Sequence, residues 1–364
     1  MRGLALLTIY VDHIPSNVLS TLTIGAFGLS DAAEVFVFAA GYSAWLAYGR
    51  LFEGRGFRSG LVAVVRRCWR LFTAHVMLVV SLAALVAVAS ATVTDSDYIQ
   101  RFNFSPLFVE TDIAVPRLAT LSYMPNTMDI LPLYVVLIGL FPLIWLAIRT
   151  SPPLALAASA GLWLATRHFG LNLPDYPERH WFFNPFAWQI MFVLGALAAS
   201  GWRPMVALAR SRAAFWLSVA LVAYSFVAAA PWTAIPGLGT MRPVPIETYW
   251  MLMEKQGLAL PRILHFLALA LVLGRLLPAR GAWAERGWTR LVILCGQHGL
   301  KVFCLGCLLS FASHVAVEVM WNSSVVQVLV SFAGIVILLA VGPLTMRVRS
   351  WDKAGAPARP VAAG

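Results

Sequence analysis

Charge is scarce in this chain. Of its 364 residues only 12 % are Asp, Glu, Lys or Arg, and 60 % are hydrophobic. Ordinary soluble domains run near roughly 25 % and 45–50 %, so the shortfall excludes a water-soluble fold. No polar stretch is long enough to form a soluble domain beside the apolar runs. Cysteine is also rare. Cys68 sits by a basic cluster, and Cys295, Cys304 and Cys307 share one apolar run. Their single C-x-x-C has no second ligand pair, which excludes a zinc ribbon and leaves buried packing thiols; no metal site is expected. There is no G-x-x-x-x-G-K-[ST] nucleotide-hydrolysis motif and no pair of Gly/Pro-broken helices in corresponding halves of the chain. The net charge of +11 does not gather into a patch or stripe, which argues against a nucleic-acid surface.

What the chain has instead is apolar runs of bilayer-spanning length. They fall at about 2–15, 31–49, 71–91, 130–148, 154–169, 185–201, 214–230, 261–277, 291–313 and 324–346. The reading is an all-α polytopic integral membrane protein of about ten transmembrane helices. Alternate connections, namely Arg2, 50–70, Arg149, 202–213, 275–290 and the C-terminal segment, hold 19 of the 27 basic residues. The opposite set holds most of the acids, including Asp95, Asp97, Glu110, Asp112, Asp175, Glu178, Glu247 and Glu254. By the positive-inside rule both termini are cytoplasmic and the loops at 92–129 and 231–260 face outward. Residues 1–346 form the membrane domain and 347–364 a basic, disordered cytoplasmic tail. The first apolar segment lacks a small-residue cleavage site and is retained. Because it begins at Arg2, it is expected either to continue past Pro15 with a kink into NVLSTLTIGAF or to be completed by residues upstream of Met1.

Ionisable groups at membrane depth are costly and mark functional candidates. They are Asp12, His13, Asp31, Glu34, Asp129, His168, His265, Lys301 and Glu318, with His75 and His298 as further candidates. Arg2 and His13 are eleven residues apart, which on a helix returns to within about 20° of one face and rises about 16 Å. An anionic head held at Arg2 would place a reactive tail at His13, whose ordinary pKa near neutrality suits a general base. The plainer account is an interfacial anchor plus a histidine satisfied by a neighbouring helix.

The Arg, ten intervening residues, His arrangement resembles the first-helix signature of the membrane-bound acyltransferase-3 superfamily. Glu34-Val35-Phe36-Val37-Phe38-Ala39-Ala40-Gly41-Tyr42 resembles its second-helix motif, with Glu for the usual Asp and Ala40 for the usual Ser. Six stretches, IYVDHIPSN at 9–17, FGLSDAAEVFVFAAGY at 27–42, MPNTMDILPLY at 124–134, NPFAWQ at 184–189, RILHFLAL at 262–269 and GQHGLKVFCLGCLLS at 296–310, are similar to OpgC in family order. That family succinylates osmoregulated periplasmic glucans.

The resemblance implies that an acyl-CoA, succinyl-CoA in this family, binds from the cytoplasm. Its acyl group then passes to a hydroxyl of a periplasmic glucan or related glycan, at the bacterial inner membrane. His13 is the expected base. Asp12, adjacent to it, points about 100° away. Glu34, at the family's acidic position, is favoured to hold the imidazole, with Asp31 as the other choice; Ser30-Asp31-Ala32-Ala33-Glu34 also reads as a helix cap. Arg66, Arg67 and Arg70 join Arg2 as candidates for the CoA phosphates, unless they are only interfacial anchors. Asp129, Asn184, His265 and His298 are candidates for the acceptor, with interhelical hydrogen bonds the alternative for all but Asp129. Trp181, Phe182, Phe183 and Trp232 could stack on sugars or form an aromatic belt. A succinyl carboxylate needs a cation, for which Lys301, Arg117 and Arg262 are available. The competing readings are a transporter of acyl groups or glycan, and a non-enzymatic membrane partner of glycan synthesis.

Overall fold

The computed structural model describes residues 2–93, 96–232, 243–277 and 286–354. Helix α1 (Arg2–Asp12) is short, and the kinked continuation expected past Pro15 does not form. Proline has no amide hydrogen for the Val11 carbonyl. That oxygen instead accepts from Ile14 N at 3.3 Å and Asn17 Nδ2 at 3.2 Å. Asn17 Nδ2 also donates to Ser331 Oγ at 2.9 Å, and Val18 N donates to Gln327 Oε1 at 2.9 Å. The IYVDHIPSN stretch is therefore a helix end clasped to the last helix of the chain.

Helix α2 (Ala32–Ala44) runs through a π-helical turn at Trp45–Gly49 into α3 (Arg50–Arg55). Gly56, at φ +80°, breaks the chain before α4 (Phe57–Thr92). The basic stretch 57–70, expected as part of a loop, is the first 14 residues of this 36-residue helix. At 1.5 Å per residue α4 is far longer than the roughly 30 Å hydrocarbon core. Short helices α5 (Tyr98–Arg101), α6 (Ser105–Val109) and α7 (Thr111–Ala119) lead to α8 (Ile130–Thr150) and α9 (Pro152–Phe169). A small antiparallel pair, β1 (Pro174–Asp175) and β2 (Arg179–His180), precedes α10 (Pro185–Ser200). The rest of the chain is helical: α11 (Arg203–Arg210), α12 (Arg212–Ala229), α13 (Ile246–Met253), α14 (Leu260–Leu276), α15 (Gly287–Gln297), α16 (Gly299–Val319) and α17 (Ser324–Ala354).

The chain is an all-α membrane protein. Among the described residues six helical segments are long and apolar enough to cross a bilayer: α2 with α3, α4, α8, α12, α16 and α17. A seventh counts if α10 and α11, bent by 88°, make one span. The run expected as a single span over 291–313 is broken at His298, between α15 and α16. Helix α17 carries on through the start of the expected tail, while 355–364, like Asp95, lie outside the described residues.

Helix α1 packs against α2, α15, α16 and α17, and α10 lies along α2. Two close approaches fix these neighbours. A Cβ on Gly41 would stand 1.9 Å from Phe192 O, and one on Gly195 would stand 2.0 Å from Phe38 O, so α2 and α10 meet backbone to backbone. A Cβ on Gly3 would likewise stand 1.9 Å from Val292 O of α15. Small residues permit such contact in membranes, where dispersion replaces the hydrophobic effect between helices.

Candidate active site

His13 directly follows α1. Its amide still donates to Ile9 O at 3.1 Å, and its ring Nδ1 reaches the same oxygen at 2.7 Å. A carbonyl only accepts, so Nδ1 carries the proton and Nε2 is the basic nitrogen. The ring lines a cavity of about 580 Å³ together with Asp12, Asp31, Asp129, Arg179 and Lys255. Asp12 and Asp31 also line an adjoining, more open cleft of about 580 Å³, where Ser20, Thr21 and Thr23 share the walls with Trp232 and Tyr249.

Beside His13 stands a compact ion cluster. Asp31 and Glu34 form a reciprocal capping box: Asp31 Oδ1 accepts from Ala33 N at 2.8 Å, and Glu34 Oε2 accepts from Asp31 N at 2.9 Å. Arg262 of α14 donates from Nε to Glu34 Oε1 at 2.7 Å and from Nη2 to Asp31 Oδ2 at 3.1 Å. Lys255 Nζ donates to Asp31 Oδ2 at 2.7 Å. Arg262 is 2 % exposed and Glu34 fully buried, so each needs the other to offset desolvation. That requirement corrects the expected geometry: Glu34 is engaged by Arg262 and the cap, and the Ile9 carbonyl holds the His13 ring.

The opposite wall comes from the loop before α8 and from the β pair. Asp129 is buried; burial first, and the Asp175 charge second, push its carboxyl up to about 7 against the opposing pull of Arg179. Burial also raises Asp175, though Arg179 Nη2 at 2.7 Å and Met124 N at 2.8 Å oppose it. Arg179 further donates to Asn126 Oδ1 at 2.5 Å and Met124 O at 2.8 Å. These bonds brace Thr127, which lines the cavity at φ +71°. A β-branched residue there costs on the order of 1–3 kcal/mol, and such strain gathers at functional sites.

At the other end of α1 lies a second cavity of about 420 Å³, into which Arg2, Arg67, Arg70 and Lys301 converge. Arg2 Nη1 donates to Ser43 Oγ at 3.4 Å, and its guanidinium lies 5.9 Å from the Phe36 ring centre. Phe36 in turn stacks on Tyr134, at 5.2 Å, and on Phe303, at 6.3 Å. Tyr134 lines the basic cavity and Phe303 the His13 cavity, so this aromatic column stands between the two. His13 and Arg2 thus face separate compartments at the two ends of one short helix.

The family profile described as OpgC protein matches residues 1–350. The chain belongs to the OpgC family. No curated protein and no solved structure matches it. OpgC membership implies acyltransferase activity in a membrane protein, and the six OpgC-like stretches can be followed into space. IYVDHIPSN supplies His13 and the clasp after it, and MPNTMDILPLY supplies Asn126, Thr127, Asp129 and Tyr134.

Other OpgC-like residues take structural places. Asn184 caps α10, accepting from Phe186 N at 3.0 Å and donating to Leu171 O at 2.6 Å. His265 Nδ1 accepts from Ser30 N at 3.1 Å and bonds Ser30 Oγ at 2.7 Å, fixing the chain just before α2. His298, expected with the acceptor, lines the Arg2 cavity instead. Arg66 lines a separate cavity beside Arg55 and Arg58. Phe182 and Phe183 reach the His13 cavity, Trp181 is buried, and Trp232 lines the adjoining cleft. Lys255, Arg179, Asp175 and Asn126 were not singled out as site residues from sequence. Asp175 and Arg179 lie in the short β pair and Lys255 in a loop, where a charge reads as orientation or solvation, and only Asn126 stands inside a family-like stretch.

Proposed function

We propose that this chain is a membrane O-acyltransferase of the acyltransferase-3 superfamily that transfers an acyl group, succinyl, from acyl-CoA to hydroxyls of a periplasmic glucan or related glycan. The observation that carries the reading is the arrangement along α1: a cavity rich in Arg and Lys at Arg2, and a second cavity at His13 where Nδ1 is held and Nε2 is left as base. The CoA phosphates pair with Arg2, Arg67 and Arg70, whose guanidinium groups suit multidentate contacts. The pantetheine arm bridges the rise of about 16 Å to His13, passing beside Phe36. The acceptor enters from the open cleft, where hydroxyl side chains share the walls with aromatic rings, a lining that suits a sugar.

In the transfer step the acceptor hydroxyl gives its proton to His13 Nε2 as its oxygen bonds to the thioester carbon. The C–S bond breaks, and the imidazolium returns the proton to the departing CoA thiolate. Ile9 O stabilises the imidazolium through the Nδ1 hydrogen. The reading includes about ten spans in the bacterial inner membrane, with both termini cytoplasmic and the His13 cavity open to the periplasm.

Detergent-purified protein incubated with labelled succinyl-CoA and glucan is expected to yield covalently labelled sugar, which a transporter or a non-enzymatic partner would not produce. His13→Ala is expected to lower that rate by about 10²- to 10⁴-fold, the range for a lost general base. Undiminished transfer by a folded His13→Ala protein would overturn the assignment.

A further inference from the structure

Three cations could be matched to a succinyl carboxylate from sequence, and none of them lines the His13 cavity. Lys301 lines the Arg2 cavity. Arg117 lies with its guanidinium 4.4 Å from the Tyr176 ring centre. Arg262 is 2 % exposed and donates to Glu34, Asp31 and Met253 O.

Two other cations do line that cavity, and their commitments differ. Arg179 is bound to Asp175, Asn126 and the Met124 carbonyl. Lys255 has three donor hydrogens, and among the described residues its ammonium donates to Asp31 alone. Its side chain is 28 % exposed, and the ammonium lies 5.4 and 6.0 Å from the ring centres of Phe183 and Phe182. Asp31 does not depend on Lys255, because Arg262 Nη2 and Ala33 N also hold it. Lys255 can therefore turn on its flexible stem toward a second anion without leaving Asp31 uncompensated.

We propose that Lys255 is a carboxylate-binding site within the His13 cavity, taking the distal carboxylate of an ω-carboxyacyl group whose thioester carbon is presented to His13. The inference rests on the acyltransferase reading and adds to it the residue that takes the far carboxylate of the acyl group. The surroundings sharpen the choice. Asp12, Asp31, Asp129 and Asp175 all line this cavity. Arg179 takes up Asp175 and Arg262 shares Asp31, so a free carboxylate is attracted beside Lys255 and the site orients the acyl chain as well as binding it.

The test uses the full chain in detergent with glucan as acceptor, and compares succinyl-CoA with butyryl-CoA, which has the same carbon count and a methyl in place of the carboxylate. Lys255→Met is expected to lower the succinyl-to-butyryl ratio of kcat/KM by about 10- to 100-fold, the effect of losing one charge-assisted hydrogen bond. Lys255→Gln, which keeps a hydrogen bond for Asp31, is expected to do the same, and Lys255→Arg to retain the ratio. Both donors are measured on one preparation, so a partly misfolded fraction cancels. An unchanged ratio in Lys255→Met and Lys255→Gln, or an equal fall with both donors, overturns the carboxylate site while leaving the transferase intact. Unsubstituted protein that acylates glucan with neither donor overturns the transferase reading, and the inference with it.

Discussion

The imidazole of His13 is oriented by a carbonyl one turn back on its own helix, so its tautomer is set by backbone geometry and needs no partner side chain. Glu34, which the family resemblance favours for that task, serves as counter-ion to a buried arginine. Asp129 faces the same cavity with a carboxyl raised to about 7, and the sign of its effect follows from linkage. Between its ordinary pKa and that value the folded state binds a proton that the unfolded state has released, so this group makes stability fall as pH rises from about 4 to 7. Asp129→Asn removes the effect. Relative to unsubstituted protein, the variant is expected to gain thermal stability between pH 5 and pH 8, by up to a few kcal/mol. Melting both proteins in detergent at the two pH values checks it; equal differences at both would show that Asp129 ionises normally.

Helix ends and helix contacts explain residues that a site-centred reading leaves as unexplained motif letters. Pro15 ends α1 by withholding a hydrogen bond from Val11 O, Asn17 replaces it, and the chain after His13 is tied to α17. Gly41, in the second-helix motif, marks the place where α2 meets the backbone of α10. A side chain there forces the pair apart. Gly41→Val is expected to destabilise the protein by about 1–3 kcal/mol or more, as overpacking does. Gly161→Ala, on the exposed face of α9 with nothing within 4 Å of an added Cβ, is expected to be neutral or slightly stabilising because alanine favours helix. Thermal midpoints of the two variants decide the point, and similar losses in both would refute the contact.

Across the molecule, the Phe36 column stands between two compartments, and the proposed reaction assigns donor and acceptor to different ends. Substitutions at one end should therefore spare the other. Arg67→Ala combined with Arg70→Ala is expected to raise KM for succinyl-CoA by about tenfold or more, from the loss of two charge-assisted contacts, with little change in KM for glucan. Arg66→Ala, in its separate cavity, is expected to change neither. A matching loss in Arg66→Ala would mean that the basic residues act together as a membrane anchor.

Composition by itself determined the membrane class, because so few charges among so many apolar residues leave no soluble alternative. The six OpgC-like stretches determined the family, and helical periodicity along RGLALLTIYVDH set Arg2 and His13 at the two ends of α1, since a helix carries its spacing in its sequence. Charge alternation spoke for an orientation but could not say which loop charges turn inward. That was decided only by tertiary packing. Lys255 and Arg179 are held at the His13 cavity by Asp31, Asp175 and Asn126, while Arg262, in the first turn of α14, is bound by the buried Glu34. Such pairings join residues up to 231 positions apart, and no local period records them. The break at His298, the clasp of Asn17 on Ser331 and the aromatic column between the cavities arise in the same way, from contacts between helices distant in sequence.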